Sequence, residues 1–497
     1  MNNAAIFWQR NCIYYFYNHC FYTYRMKKLL LSATFVIFSN LIFGQIKQGF
    51  EINVTINGLR DSTIFLAYHL GDRQYIQDTL ILDAAGRATV RGNEPLQHGI
   101  YMIVLPKFAY FEMLISDEQH FDVSCSYNDY INTLKFEGSD ENTAFLAYQK
   151  KWKQLNDDMG ALVKRAEANR DNRDSLNIIN NARVAQEQAM KDYLNSVVAE
   201  NKSNMLGILV KAILPVEIPA FEIPSGTKNP DSLRWILNYI YNKNHFFDNV
   251  NLNDERLIRT PILQSKLKTF FSNIVIQAPD SINKEIDIII SKCQNNNRVL
   301  QFVSAFIFNH YITSDIMGHD AIIVKLADDI YLTDKADWVT QEFKDDLRKQ
   351  VDLIRPNLIG KQAQDLVMDS YKGIYVSLHD IEKEFTVLYF WEPDCGHCKE
   401  ATPKLKEYYE KVKNSNIEIF AICTIADREK WTNYIQENQL EWINGWDPQR
   451  RSRFDYYYNV QSTPLVYILD KDKKIIAKKI SVEDIDGFIE NYKRYAR

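Results

Sequence analysis

The feature that most constrains this chain lies near its end. Thr386–Trp391 (TVLYFW) is an unbroken apolar run rich in β-formers. A run without polar alternation is what a strand covered on both faces requires. Cys395-Gly396-His397-Cys398 follows after a short turn, and helical spacing resumes there. The local unit is therefore a buried strand, a turn and a helix that opens on a C-x-x-C. Further strands are expected at Ile417–Thr424, Leu465–Asp470 and Lys474–Ile480. Helices are expected at Arg428–Gln439, Arg450–Tyr458 and Val482–Tyr495. Strands alternating with helices make this region α/β.

A C-x-x-C could also be half of a zinc site. The chain has 7 cysteines, but no second C-x-x-C occurs and Cys423 stands alone within a strand pattern. His245, His310 and His319 do not sit at ligand spacing and no cysteine pair accompanies them. No metal and no cofactor are expected. The strand-then-helix setting favours a redox dithiol.

The physics of thiols assigns roles. The thiolate is the reactive form, and a helix N-terminus directs unpaired N–H groups at it. Cys395 should have the lower pKa and act as the exposed nucleophile. Cys398, one turn inside, should be buried and placed to attack a mixed disulfide. His397 between them should favour the thiolate, while Asp394 and Glu392 place negative charge beside it and oppose it. Thr463-Pro464 precedes the Leu465 strand, where proline is tolerated as a first residue. If that bond is cis, its backbone faces the dithiol and offers an edge to a substrate chain. Pro403 should kink the first helix.

Together these motifs resemble the thioredoxin superfamily, and within it the TlpA-like (ResA-like) thiol–disulfide oxidoreductases of bacterial cell envelopes. The resemblance covers residues 357–497 and rests on Phe390-Trp391, the C-x-x-C, Pro403 and Thr463-Pro464. Asn357–Leu378 looks like the extra N-terminal hairpin of that family. The resemblance implies Cys395 as nucleophile, Cys398 as resolving cysteine and Pro464 as a cis-proline. It also implies redox tuning by Gly396, His397 and Glu400, and substrate contact by Thr463, Pro464 and Trp391. Cys-Gly-His-Cys is also the tetrapeptide of protein disulfide isomerases, which implies isomerase or oxidant character. Three departures stand out. Asp394 replaces the usual Trp before the first cysteine. Ala401 stands where many members carry Glu, with Glu400 one position earlier. Tyr389 stands where thioredoxin has a buried Asp, so either Glu400 or Glu392 substitutes as proton acceptor or proton transfer is slowed.

The other end of the chain reads as an address. Residues 1–25 are crowded with aromatics in no clean period. Met26-Lys27-Lys28, the apolar run Leu29 to Phe43, and Gly44-Gln45 then have the form of a secretory signal peptide. Met26 is the simplest start, and the mature chain would begin near Gln45. The alternative is an uncleaved anchor, although the run is short for a span. Cys12 and Cys20 would leave with the leader.

Between leader and dithiol lie two regions without a catalytic pattern. In residues 45–138, Phe50, Ile52, Val54 and Ile56 alternate with polar residues, as in a half-buried strand. Thr63–Tyr68, Thr79–Leu82, Ile100–Leu105 and Phe121–Tyr127 are further candidate strands, suggesting a small antiparallel β-sandwich-like domain. Residues 139–352 change to helical spacing. Phe145, Tyr148 and Trp152 mark one face, and Lys164 to Asn201 reads as a solvated hairpin. Cys125 and Cys293 are expected to be buried thiols. Both regions resemble domains without assigned function that are often fused ahead of thioredoxin domains in exported proteins of Gram-negative bacteria.

The expected organisation is thus an upstream extension and signal peptide (1–44), a small β domain (45–138), a helical domain (139–352) and an α/β thioredoxin fold (353–497). A pI near 6.1 offers no basic footprint for nucleic acid. The expected activity is exchange of electrons with thiols and disulfides of partner proteins in the periplasm or cell envelope, fed by a membrane or soluble electron donor. The competing class is an envelope binding or scaffold protein whose dithiol is secondary.

Overall fold

The computed structural model describes residues 49–495, so the leader expected over 1–44 lies outside the described residues. The described residues gather into two compact units, 49–276 with 285–303, and 277–284 with 304–495. The helical region expected over 139–352 contributes to both.

The first unit begins with eight strands in two sheets of order β4-β1-β7-β8 and β3-β2-β5-β6. They are β1 (Phe50–Asn57), β2 (Thr63–Leu70), β3 (Arg73–Ile81), β4 (Arg87–Gly92), β5 (Gly99–Val104), β6 (Tyr110–Ile115), β7 (His120–Ser126) and β8 (Lys135–Glu137). The alternation in β1 is real: Ile52, Val54 and Ile56 point into a core with Leu66, Tyr101, Met113 and Val123. Strands β4, β6 and β8 were not anticipated. β4 buries only Val90, and β8 is three residues long, so neither carries a legible period. Neighbouring strands are antiparallel except β1 and β7, which run parallel. Parallel neighbours need a long crossover, and here strands β2 to β6 supply it.

The helical part of this unit opens with a hairpin, Asp140–Ala168 and Arg173–Glu200, capped by Ser139 and Asn172. Most of its surface is solvated, as the charge-rich sequence predicts, but Lys164–Asn201 is not itself a hairpin: it holds the end of the first helix, the turn and the second helix. Phe145, Tyr148 and Trp152 stack in succession, and Tyr193 of the second helix stacks on Tyr148. The first turn is tied to the β core by polar contacts. The Asn142 side chain accepts from Leu114 N at 2.7 Å and donates to Leu114 O at 2.9 Å. The Glu141 carboxylate accepts from Leu206 N at 2.8 Å. Burial pushes the thiols of Cys125 and Cys293 up to about 11 and about 12, which makes both inert at neutral pH.

The second unit is built on a seven-stranded sheet of order β10-β9-β13-β12-β11-β14-β15. Its strands are β9 (Val367–Ser370), β10 (Tyr375–Ser377), β11 (Phe385–Trp391), β12 (Ile417–Cys423), β13 (Ile443–Trp446), β14 (Leu465–Leu469) and β15 (Ile475–Lys478). β11 is central and all seven of its residues are buried. Tyr389 and Trp391 face one core with Cys398, Leu405 and Trp431. Leu388 and Phe390 face the other with Phe420, Phe454 and Tyr458. The unbroken apolar run is explained by these two cores. β9 and β10 form the expected hairpin.

Two local expectations fail. The helix expected over Arg450–Tyr458 shrinks to Phe454–Tyr457, because Arg450 and Arg453 adopt positive φ of 52°. β13 was missed because Asn444 and Gly445 read as turn residues. Buried Asn444 is satisfied by the carbonyls of Leu440 and Trp442 and by the Trp442 indole. A Cβ on Gly445 would meet Met368 and Phe420 at 2.6 Å, so glycine lets the neighbouring strands pack closely.

Helical residues upstream of the sheet are joined to its edge by a buried cation. Lys478 on β15 is 3% exposed. It ion-pairs with Asp320 and donates to the Asn357 carbonyl at 2.8 Å. The Asn357 side-chain amide in turn donates to Leu353 O and Tyr457 O. A buried ammonium is tolerable only with such partners.

Candidate dithiol site

The site forms where strands of one direction end together. β11, β12 and β13 are parallel, with Trp391 opposite Cys423 and Cys423 opposite Trp446. β14 is antiparallel to β11 and so begins at that same end, just after the cis bond Thr463-Pro464. The chain leaves Trp391, turns, and enters the helix Gly396–Val412 with Cys395 as its N-cap.

The Cys395 sulfur accepts the Cys398 backbone N–H at 3.2 Å, as an N-cap side chain should. Its S–H is directed at the Thr463 carbonyl at 3.3 Å. Partial burial pulls the Cys395 thiol upward. Hydrogen bonds from the Cys398 and Thr463 side chains and the Cys398 and His397 backbone outweigh that and hold it below the ordinary thiol value. Cys398 has no exposed surface. Burial, and then its hydrogen bond to Cys395, push its thiol up to about 12. One thiol is reachable and acidified; the other lies beneath it and holds its proton.

The remaining residues named from sequence fall into three groups. Thr463 and Pro464 are partly exposed beside Cys395, and Gly396 and His397 are exposed on the first turn. A Cβ on Gly396 would meet nothing within 4 Å. Glu400 is exposed, two positions past Cys398 and therefore on the far side of the helix. Trp391, expected to touch substrate, is wholly buried and packs against Tyr434 at 5.0 Å. That expectation is corrected: β11 is covered on both faces, so Trp391 supports the site from beneath. Asp394 is not a free charge. Lys430 pairs with it at 2.6 Å and holds its carboxyl below the usual range. Glu392 accepts the Thr424 hydroxyl at 2.9 Å.

Sequence reasoning missed Thr402, Tyr434 and Lys430. Thr402 could have been found, since it lies four residues past Cys398 and shares its buried face. Lys430 and Tyr434 come from the helix Arg428–Asn438, which carries no motif. Burial pushes the Cys423 thiol up to about 12, so it is packing rather than chemistry. His245 pairs with Asp248, and His319 with Ser314. Among the described residues no group of three or more His, Cys, Asp or Glu is placed to hold a metal ion.

A helix-capping acidified cysteine over a buried partner, beside a cis-proline at the end of a parallel sheet, defines a thioredoxin-like thiol–disulfide oxidoreductase. Comparison with known proteins agrees. Residues 359–478 match the AhpC/TSA family, and residues 184–357 match a domain of unknown function, DUF5106. The thiol-disulfide oxidoreductase ResA of Bacillus cereus is 26% identical over 135 residues, spanning 27% of this chain and 77% of that protein. Nucleoredoxin of Xenopus laevis is 32% identical over 139 residues, which are 30% of its length. Among solved structures, a domain of a possible thiol-disulfide isomerase from Cytophaga hutchinsonii is 35% identical. It covers 28% of this chain and 95% of its own, with a TM-score of 0.27. A thioredoxin-like protein from Bacteroides caccae is 19% identical and covers 56% of this chain and 99% of its own, with a TM-score of 0.42. The C-terminal domain is thioredoxin-like and similar to the ResA thiol–disulfide oxidoreductases, and additional β and helical regions precede it in the chain.

Proposed function

We propose that this protein is an exported enzyme of the periplasm or cell envelope that exchanges electrons with cysteines of partner proteins through Cys395 and Cys398. The observation that carries the reading is the division of labour between the thiols: Cys395 partly exposed and acidified, Cys398 buried and protonated. Cys395 thiolate attacks a partner disulfide and forms a mixed disulfide. Cys398 then attacks Cys395, and the partner leaves reduced. In reverse, a partner thiol opens the Cys395–Cys398 disulfide. An extended partner segment would pair with backbone at Thr463 and Pro464, which are partly exposed beside the nucleophile. Electrons would come from a membrane or soluble donor. Export is supported by the leader pattern from Met26 to Gln45.

A peroxide-reducing role is disfavoured, since such enzymes set the reactive cysteine in Pro-x-x-x-Thr-x-x-Cys. Here Phe390-Trp391-Glu392-Pro393-Asp394 precedes Cys395. The test compares C395S and C398S with the unaltered protein on an insulin-type disulfide substrate. Both variants should lose turnover, and C395S should also lose mixed-disulfide formation. Retained turnover would sink the reading. Loss of turnover with partner capture and phenotype intact would favour a scaffold role instead.

A further inference from the structure

The connection from β13 to β14 begins and ends at the dithiol end of the sheet. β13 runs parallel to β12 and stops at Trp446, and β14 starts at Leu465, antiparallel to β11. The last part of this connection is Thr463-Pro464, where the Thr463 carbonyl accepts the Cys395 S–H at 3.3 Å. Its first part holds Arg450-Arg451-Ser452-Arg453, three guanidiniums in four residues of a chain whose net charge is -5.

Buried contacts fix this basic turn in place. The Asp447 carboxylate is buried and accepts both the backbone N–H and the hydroxyl of Ser452 at 2.7 Å. Arg450 N donates to Asp447 O, and Arg453 N donates to Arg450 O. Phe454, next in the chain, is buried and stacks at 5.9 Å on Phe390, the residue before Trp391 on β11. Arg450 and Arg453 both hold φ of 52°. Glycine takes that backbone freely, whereas a longer side chain takes it only where its surroundings over-determine it.

Pairing leaves two of the three arginines available. Asp455 pairs with Arg450 at 3.1 Å, and Asp447 is spent on Ser452. Arg451 and Arg453 are exposed, and among the described residues no ion pair takes up either. The Arg453 guanidinium lies 4.6 Å from the Tyr456 ring centre and 5.4 Å from that of Tyr457. A guanidinium held on ring faces spends none of its five N–H donors. Such a fork takes a carboxylate in two parallel hydrogen bonds. Lys430, the cation beside the first cysteine, is already spent on Asp394.

We propose that Arg451 and Arg453 form a shelf that docks an acidic stretch of the partner protein, adjoining the cysteine presented to Cys395. This rests on the dithiol reading above and names the partner's chemistry. A partner segment lying along Thr463 and Pro464 is on the connection that carries both arginines, so its flank is what they meet. A membrane surface is a poorer occupant, since anionic lipid is held by clusters of about four to eight basic residues. The shelf touches no reacting sulfur. It speeds encounter, and the exchange itself is as described: the partner disulfide is reduced while the two site thiols are oxidised.

The test uses the full reduced protein and two probe peptides of equal length. Each carries one intrachain disulfide, flanked on both sides by Glu in one and by Gln in the other. The readout is the ratio of their second-order reduction rates. The unaltered protein should reduce the Glu peptide about tenfold faster at low salt, at the lower end of electrostatic steering. Added salt should shrink that preference. The double variant R451Q/R453N should lose it; Asn is used at 453 because it tolerates positive φ and so keeps the turn. R87Q/R91Q, which removes two exposed arginines from β4, should keep the preference. No preference in the unaltered protein, or a full preference in R451Q/R453N, would overturn the inference. So would an equal loss in R87Q/R91Q, which would make net charge the cause. Loss of binding to anionic phosphatidylglycerol vesicles in R451Q/R453N, with the peptide preference kept, would give the arginines to a membrane and overturn it as well. Reduction of neither peptide would defeat the dithiol reading itself, an outcome distinct from those.

Discussion

The chain builds two β systems, and only one of them ends in chemistry. In the first unit, strands such as β1 and β7 bury alternate residues, and most neighbours are antiparallel. Cys125 sits on β7 among core residues, with its thiol raised by burial alone. In the second unit, three parallel strands end together and a helix starts at that end, so backbone N–H groups converge on one sulfur. Cys423 on β12 is strand-borne and buried, like Cys125, and is raised to about 12. What separates Cys395 from these thiols is position in the topology, not residue type. A cysteine inside a strand is packing; one at the strand-to-helix turn is a reagent.

The largest test of that contrast exchanges the cysteines one at a time. C395S should lower disulfide-exchange rate by about a thousandfold or more, as loss of a nucleophile does. C125A and C293A should leave the rate within about twofold while costing roughly 1–3 kcal/mol in denaturant unfolding, the price of a small cavity. A comparable loss of rate in C125A would break the comparison.

The next concerns the second unit's edge. D320A leaves the Lys478 ammonium buried beside Asn357 alone, and should cost about 3 kcal/mol of stability in urea. K478M, which removes the charge too, should cost less. Equal costs would show that the ion pair has no role beyond packing.

The pH dependence follows from the two thiol shifts. Because the Cys395 thiol is held below its ordinary value, its thiolate fraction, and with it the alkylation rate, should reach half-maximum at lower pH than free cysteine. Cys398, at about 12, should remain unlabelled through neutral pH. A smaller effect is expected in K430M. Freeing the Asp394 carboxylate should raise the Cys395 midpoint by a few tenths of a unit, an effect that salt screens. An unchanged midpoint at low salt would remove Asp394 from the site's electrostatics. G396A should change least, since nothing lies near the added methyl.

Much of the second unit was legible because its signals are local. A both-faces-buried strand, a C-x-x-C at a helix start and a Thr-Pro before the next central strand each leave a mark in sequence. β13 was not legible, because Asn444 and Gly445 are stabilised by contacts made only in the fold. The helix expected over Arg450–Tyr458 was overruled by left-handed residues that no composition rule flags. Trp391 was misplaced outward because the family resemblance implied substrate contact there, whereas the apolar run that ends in it already marked a strand buried on both faces. Lys430 and Tyr434 arrive from a separate helix, so the neutralised Asp394 and the ring packed against Trp391 exist only in three dimensions. In the first unit the alternation of β1 was plain, while β4 and β8 bury too little to show a period.

The central claim is that Cys395 and Cys398 form one reversible redox couple while the other described cysteines stay silent. Equilibration of the protein against graded thiol–disulfide buffers, with mass mapping of each cysteine after quenching, tests it most directly. The account predicts a single two-electron transition, a tenfold change in the ratio per ~30 mV, with Cys395 and Cys398 protected together by oxidation. Cys125, Cys293 and Cys423 should remain thiols throughout. A tightly held zinc at Cys395 and Cys398, or oxidation that pairs either one with a different cysteine, would contradict it.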